Sequence, residues 1–81
     1  MTPAITPVPG RTYKLQIGSF RVARNAVDTY VNLQKAGLNP EYERYEDNYR
    51  VVLKGIPGEE VQATAEKLGR AGFSEAFIKE E

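Results

Sequence analysis

Hydrophobic and polar side chains alternate with a period of two over the first regular stretch of the chain. Tyr13, Leu15 and Ile17 occupy one set of positions, and Lys14 and Gln16 occupy the other. This alternation is typical of a strand with one buried face. We therefore expect the three apolar side chains to point inward and the two polar ones outward, with the pattern breaking over residues 18–20.

The apolar spacing then changes to that of an amphipathic helix. Its stripe comprises Ala23, Ala26, Val27, Tyr30, Leu33 and Ala36. Gly37 follows at a position where a left-handed C-terminal cap carries no Cβ penalty. The pattern predicts a helix that ends near Ala36.

Two further strands are predicted next in the chain. Residues 41–45 and 49–54 favour a hairpin joined by a polar loop of residues 46–48. Within the second of these strands, Arg50 and Val52 fall on the face opposite to Tyr49.

A breaker over residues 55–58 precedes a second helical stripe, made by Val61, Ala65 and Leu68. The helix opens with two glutamates, whose negative charge complements the amide dipoles at a helix N-terminus. Residues 73–79 then predict a short final strand.

The resulting order of elements is β-α-β-β-α-β, and its two halves are similar. Residues 33–38 and 68–73 share Leu, Ala and Gly in the same spacing. This order predicts an α+β, ferredoxin-like fold: a four-stranded antiparallel sheet with two helices on one face and the other face open. Right-handed connections place the first and third strands at the centre, so we expect the open face to present Gln16 beside Arg50.

Length limits the number of domains. Eighty-one residues leave room for one hydrophobic core. Three prolines fall within the first ten residues and favour an extended linker. We therefore divide the chain into a Pro-rich linker end, residues 1–11, and a single domain, residues 12–81.

Composition removes several classes of function. The chain has no Cys and no His, so it lacks a thiol nucleophile, an imidazole base and a thiolate zinc site, and we expect no metal and no cofactor. Lys and Arg balance Asp and Glu at a net charge of +0, so no nucleic-acid partner is expected. No apolar run approaches the roughly 20 residues that span a bilayer. Membrane contact is expected only through an anchor outside this chain.

The predicted open face supplies the candidate ligand contacts. The Gln16 amide both donates and accepts hydrogen bonds, and Arg50 offers a fork that suits a carboxylate. Val52 and Phe77 are expected to expose apolar surface on this face. Ser19, near the end of the first strand, would either contact a ligand or cap the first helix.

Two acidic side chains on the second predicted strand offer a different chemistry. Glu41 and Glu43 would lie about 7 Å apart on one strand face, near the carboxylate spacing of an inverting glycosidase. Nothing near them in sequence is apolar enough to raise the pKa of a general acid, so we expect no enzyme. An RNA-binding or protein-interaction module that uses the same open sheet remains the alternative.

Three segments resemble the SPOR (sporulation-related repeat) domain. They are Tyr13-Lys14-Leu15-Gln16-Ile17-Gly18-Ser19-Phe20, the helix end Leu33-x-x-Ala36-Gly37-Leu38, and Tyr49-Arg50-Val51-Val52. The resemblance runs from about Thr12 to Lys79. The chain departs from it where many members have Gly-Pro-Phe, since Lys54-Gly55-Ile56-Pro57 stands there, and it carries Asn48-Tyr49 where some members have a tryptophan.

The resemblance implies a noncatalytic module that binds peptidoglycan glycan strands, in particular denuded strands whose stem peptides have been removed by amidases. Carried over by position, the family's glycan contacts fall on Gln16, Ser19, Arg50 and Phe77. To these we add Val52, against the apolar face of a sugar ring, and Tyr49 from the hairpin. The parent protein is then expected in the extracytoplasmic cell envelope at the division site, and the domain is expected to be a monomer.

Overall fold

The computed structural model describes residues 6–73 and 75–81. Its elements, in order, are β1 (Thr12–Phe20), α1 (Ala23–Lys35), β2 (Glu41–Tyr45), β3 (Asn48–Pro57), α2 (Gly58–Arg70) and β4 (Phe77–Glu80). The strands form one sheet in the order β2-β3-β1-β4, and every neighbouring pair is antiparallel. This arrangement confirms the predicted ferredoxin-like fold, with the first and third strands at the centre.

The hydrophobic core lies between the sheet and both helices. Its buried residues are Leu15, Ala26, Leu33, Val51, Leu53 and Leu68. The stripe predicted for α2 is buried in full, whereas Val27 of the α1 stripe remains 47% exposed. Because both helices pack on the same face, the opposite face of the sheet is open. Neither helix is long and apolar enough to cross a membrane, within the residues that the structure describes.

The repeated hexapeptide forms the same C-terminal cap on both helices. The N–H of Leu38 donates to the carbonyl of Leu33 at 3.1 Å, and the N–H of Phe73 donates to the carbonyl of Leu68 at 2.9 Å. The glycine before each donor has a positive φ, 83° in α1 and 95° in α2. This is the Schellman motif, which only a residue without a Cβ adopts at low cost. The predicted end of α1 is thereby confirmed.

Two β-bulges shift the register of the central strand pair and then restore it. Tyr13 pairs with Ile56 but Leu15 pairs with Leu53, so β3 holds one extra residue in between. Gly55 lies in that bulge with a φ of 65°, a left-handed conformation that favours glycine. The second bulge is on β1, where Ile17 lies between residues that pair with adjacent positions of β3.

The bulges explain two strand bounds that the sequence patterns predicted wrongly. β1 continues past Ile17 to Phe20, and β3 continues through the predicted breaker to Pro57. A bulge interrupts the alternation of side chains without ending the ladder of hydrogen bonds, so a period-two pattern stops where the strand does not. The last strand differs in the other direction: it begins at Phe77, because Phe73 belongs to the cap of α2 and packs against the core.

The segment before β1 is hydrogen-bonded to the domain. The N–H of Val8 donates to the hydroxyl oxygen of Tyr13 at 2.8 Å. The N–H of Gly58 donates to the carbonyl of Arg11 at 2.8 Å. Residues 8–11 thus lie against the start of α2, and the division between linker and domain at residue 12 stays a prediction.

Candidate functional site

Five of the six predicted site residues lie on the open face of the sheet. Gln16 on β1 pairs with Val52 on one side and with Phe77 on the other, and Ser19 pairs with Arg50. Directly paired residues of antiparallel strands point to the same face. Gln16 is therefore a diagonal neighbour of Arg50, and the bulge at residue 17 places Ser19 instead of Gly18 opposite Arg50.

Arg50 is held against an aromatic ring and forms no ion pair with a carboxylate of residues 6–73 or 75–81. Its guanidinium carbon lies 3.9 Å from the ring centroid of Tyr45, a geometry that stabilises the cation electrostatically. Within the described residues its Nε is buried without a hydrogen-bond partner, and no ion pair involves its side chain. The ring therefore orients an uncompensated cation on the open face.

Ser19 is exposed beside Arg50 and does not cap α1. The N-cap residue of that helix is Val22, which makes no side-chain cap hydrogen bond. The predicted alternative of a helix cap is therefore wrong, because β1 continues past Ser19 and the helix begins later than a cap at this position requires. The hydroxyl of Ser19 remains available on the same face as the Arg50 guanidinium.

Phe77 provides the apolar surface that was predicted for this face. With 72% of its surface exposed, it is paired with the partly exposed Gln16. A large aromatic side chain gains nothing from contact with water at such a position. An aromatic ring and an amide therefore stand side by side on an open sheet.

The prediction that Val52 exposes apolar surface is wrong. Val52 lies on the open face but is 0% exposed. Around it, Lys14 from β1 and Lys54 from β3 both place Nζ 3.1 Å from a carboxylate oxygen of Glu43 on β2. The stems of these long side chains shield an apolar residue on the middle strand. Val52 thus supports this ion cluster from below and offers no contact surface in this arrangement.

The electrostatics of the cluster are dominated by its two lysines. Partial burial opposes ionisation of Glu43, but the hydrogen bonds and charges of Lys14 and Lys54 together outweigh it, so the pKa of Glu43 is lowered from 4.5. The hydrogen bond and charge of Glu43 in turn raise the pKa of Lys54 from 10.5. Glu43 and Lys54 are therefore both charged at neutral pH.

Tyr49 lies on the helix side of the sheet, away from the other predicted site residues. It pairs with Phe20, packs against the core and carries the guanidinium carbon of Arg44 4.3 Å from its ring centroid. It also lines a hollow of about 450 Å³ with Ala23, Ala26, Val27, Tyr42 and Arg44. The alternation of β3 explains the placement, since Tyr49 shares the parity of the buried Val51 and is excluded from the face that carries Arg50.

Charge on the open face differs from that of the whole chain. The face carries Lys14, Arg50, Lys54 and Lys79 against the three carboxylates of Glu41, Glu43 and Glu81. A sheet face with an excess of cations attracts anionic ligands although the chain is neutral overall. Sequence reasoning missed this excess, as well as the role of Tyr45. The signal for Tyr45 was present, because it shares the parity of Glu41 and Glu43 along β2.

A comparison with known protein families agrees with the observed fold. It also agrees with the sequence resemblance. A profile of the SPOR domain matches residues 9–79. The chain belongs to the SPOR domain family. The match covers both helices and nearly the whole sheet, so it includes every residue of the open face named above. Within the described residues, no group of side chains suited to hold a metal ion is found.

A solved structure shares the same architecture. It is the solution structure of the peptidoglycan-binding domain of the Bacillus subtilis cell wall lytic enzyme CwlC. The two chains are 25% identical, with a TM-score of 0.74, over 91% of this chain and 94% of that one. A comparison with curated protein sequences gives no significant match. A SPOR domain is a binding module, separate from the catalytic part of a lytic enzyme.

Proposed function

We propose that this SPOR domain binds peptidoglycan glycan strands through its open face, with a preference for denuded strands. The observation that carries the proposal is Arg50, a cation fixed on the Tyr45 ring with no carboxylate partner within the described residues. Binding by the similar domain of CwlC and membership of the SPOR family support peptidoglycan as the ligand.

The chemistry of a denuded strand explains why an unpaired arginine suits it. Removal of the stem peptide converts the lactyl amide of N-acetylmuramic acid into a free carboxylate. It also removes the bulk that would keep the strand away from a sheet. Arg50 pairs with the carboxylate through charge-assisted hydrogen bonds. Ser19 and Gln16 bond the acetamido or hydroxyl groups, and Phe77 covers the apolar face of a sugar ring.

The proposed ligand also determines where the domain acts. Peptidoglycan lies outside the cytoplasmic membrane, so the domain works in the cell envelope, attached through whatever anchor its parent protein has. Denuded strands accumulate in the septal wall, and binding them would target the parent protein to the division site. A monomer suffices for this role, because the whole open face belongs to one chain.

The direct test compares binding to sacculi with and without prior amidase treatment. We expect more domain to sediment with treated sacculi, because treatment creates the carboxylates and uncovers the glycan. Equal binding to both preparations would contradict the preference for denuded strands. Binding to RNA that falls steeply with salt, without binding to sacculi, would instead favour the RNA-binding alternative.

Matched arginine variants test the role of the open face. Arg50→Gln removes the cation that is stacked on Tyr45, whereas Arg44→Gln removes a cation stacked on Tyr49 on the opposite side of the sheet. Loss of charge-assisted hydrogen bonds is expected to lower the affinity for denuded glycan by about tenfold or more in the first variant. The second should bind as the wild type does. Equal losses in both variants would mean that the effect is one of net charge.

A further inference from the structure

The open face carries a second group of cations, at the end of the sheet away from Arg50. Lys14 on β1 pairs directly with Lys79 on β4. Lys54 lies in the β3 bulge on the other side of Lys14, between the positions that pair with Tyr13 and Leu15. These three residues, Lys14, Lys54 and Lys79, form a row across three strands that we call the lysine row.

Like charges on neighbouring strands repel one another and are unfavourable without a counter-ion. Within the described residues, a single carboxylate forms ion pairs with this row: Glu43 contacts Lys14 and Lys54 at 3.1 Å each. Glu81, which accepts a hydrogen bond from the N–H of Gly55, and Glu41 both act on Lys54 without forming an ion pair with it, and Glu80 is paired with Arg11. Lys14 and Lys54 therefore share one directly paired carboxylate, and Lys79 has none within the described residues.

The side chain of Glu43 contacts the lysine row instead of the residue directly opposite it. Its direct cross-strand partner on β3 is Arg50, yet its side chain reaches along the face to the lysine row. Arg50 is then left without a carboxylate partner in the described part of the chain. Its side chain is 22% exposed, as is that of Lys14, while Lys54 is 37% exposed. An ion pair that remains in contact with water contributes little net stability and exchanges partners easily.

We propose that the lysine row is a second carboxylate subsite, and that Glu43 is the internal counter-ion which a carboxylate of the ligand displaces. The inference rests on the proposed function and adds the path of the ligand to it. Arg50 and Lys54 are four residues apart on β3, which is about 13 Å of strand. Gln16 and Phe77 lie between the two groups. The glycan therefore runs along the central strands and presents different carboxylates to Arg50 and to the lysine row.

Glu43 in this role sets the selectivity of the face. It competes with the ligand carboxylate, so it weakens binding of anionic glycan and has no such effect on a neutral one. Glu43→Gln keeps the shape of the side chain and its ability to accept a hydrogen bond from Lys14, but removes the competing charge. Glu41→Gln is the matched control, because it removes the same charge from the same strand and face. Glu41 acts on Lys54 at longer range but forms no ion pair within the described residues.

The test measures the affinity of wild type and both variants for two soluble probes. The first is an amidase-treated glycan fragment with several carboxylates, and the second is a chitooligosaccharide, which has the acetamido backbone without carboxylates. Glu43→Gln is expected to bind the anionic fragment about two- to fivefold more tightly, the range of an exposed ion pair. Its affinity for the chitooligosaccharide should not change, and Glu41→Gln should gain less with the anionic fragment.

Unchanged or weaker binding of Glu43→Gln to the anionic fragment, with wild-type binding intact, would overturn the inference and leave the proposed function standing. Failure of the wild type to bind the anionic fragment would contradict the proposed function itself. Lys79→Gln gives an independent test that does not disturb the cluster over Val52, because Lys79 is exposed on an edge strand. It should lower the affinity for the anionic fragment and spare the neutral one. An equal loss with both probes would also contradict the subsite.

Discussion

At the scale of single residues, the neighbours of Arg50 orient its guanidinium and leave its charge free to pair with a ligand. The residue directly opposite, Glu43, is an acid that would normally pair with it, but two lysines hold that acid elsewhere. The ring of Tyr45 takes the place of the carboxylate and fixes the guanidinium without neutralising it. A cation oriented in this way loses less conformational entropy when it binds an anion than a free arginine does.

Replacing Tyr45 tests whether its ring orients Arg50 for binding. Tyr45→Leu keeps an apolar side chain on β2 but removes the ring under Arg50, and the affinity for denuded glycan is expected to fall about two- to fivefold, the value of an exposed cation–π contact. The control is Tyr42→Leu, which alters the same strand on its other face, where Tyr42 stacks on Tyr30 at 4.5 Å. Binding isotherms for the two variants should differ. A loss of the same size in both would mean that Tyr45 acts by stabilising β2 and not through Arg50.

At the scale of elements, the glycines at the two ends of α2 have different roles. Gly72 takes a positive φ at the end of α2, whereas Gly58 begins the same helix in close contact with the preceding segment. A Cβ on Gly58 would overlap the backbone carbonyl of Val8. Close approach, rather than backbone conformation, therefore requires a glycine at the start of α2.

Gly58→Ala is expected to destabilise the domain by about 1–3 kcal/mol, the cost of overpacking at a site where backbone must move. The hydrogen bond from the Gly58 N–H to Arg11 should weaken, so its amide hydrogen should exchange faster with solvent. Gly69→Ala is the control within the same helix, since its Cβ meets no atom within 4 Å. Alanine there is expected to stabilise the helix by about 0.5–1 kcal/mol. Denaturant unfolding of the two variants measures both effects, and a neutral Gly58→Ala would show that residues 8–11 do not pack tightly on α2.

Helix ends and strand faces could be predicted from the sequence, whereas the bulges and the burial of Val52 could not. The helix ends were predictable because the Schellman cap needs a glycine at one position, and the glycines 37 and 72 are visible in the sequence. The open-face placement of Arg50 and Phe77 followed from parity within short strands. Bulges were not predictable, because an extra residue changes the parity without leaving a distinct residue type on β1. The covered state of Val52 was equally hidden, since it depends on ion pairs between three strands that are distant in sequence.

At the scale of the whole molecule, a neutral chain has an uneven distribution of charge. Four cations and three acids on the open face leave a small excess of positive charge that the composition conceals. The acid at the centre of this distribution, Glu43, is also a group through which pH affects stability. Its pKa in the folded protein is lowered from 4.5 by two lysines that outweigh its partial burial. A group that binds protons less tightly when folded than when unfolded favours the folded state only while it is ionised.

The stabilising contribution of Glu43 should decrease as the pH falls. The contribution of Glu43 is fully present above its ordinary pKa of 4.5 and is lost as the pH falls through its lower pKa in the folded protein. Glu43→Gln should therefore be less stable than the wild type at neutral pH, and the difference should shrink below pH 4.5. Thermal unfolding of the wild type and of Glu43→Gln from pH 7 to pH 3 measures this. A constant difference between Glu43→Gln and wild type across that range would mean that packing over Val52, and not the charge of Glu43, accounts for its effect on stability.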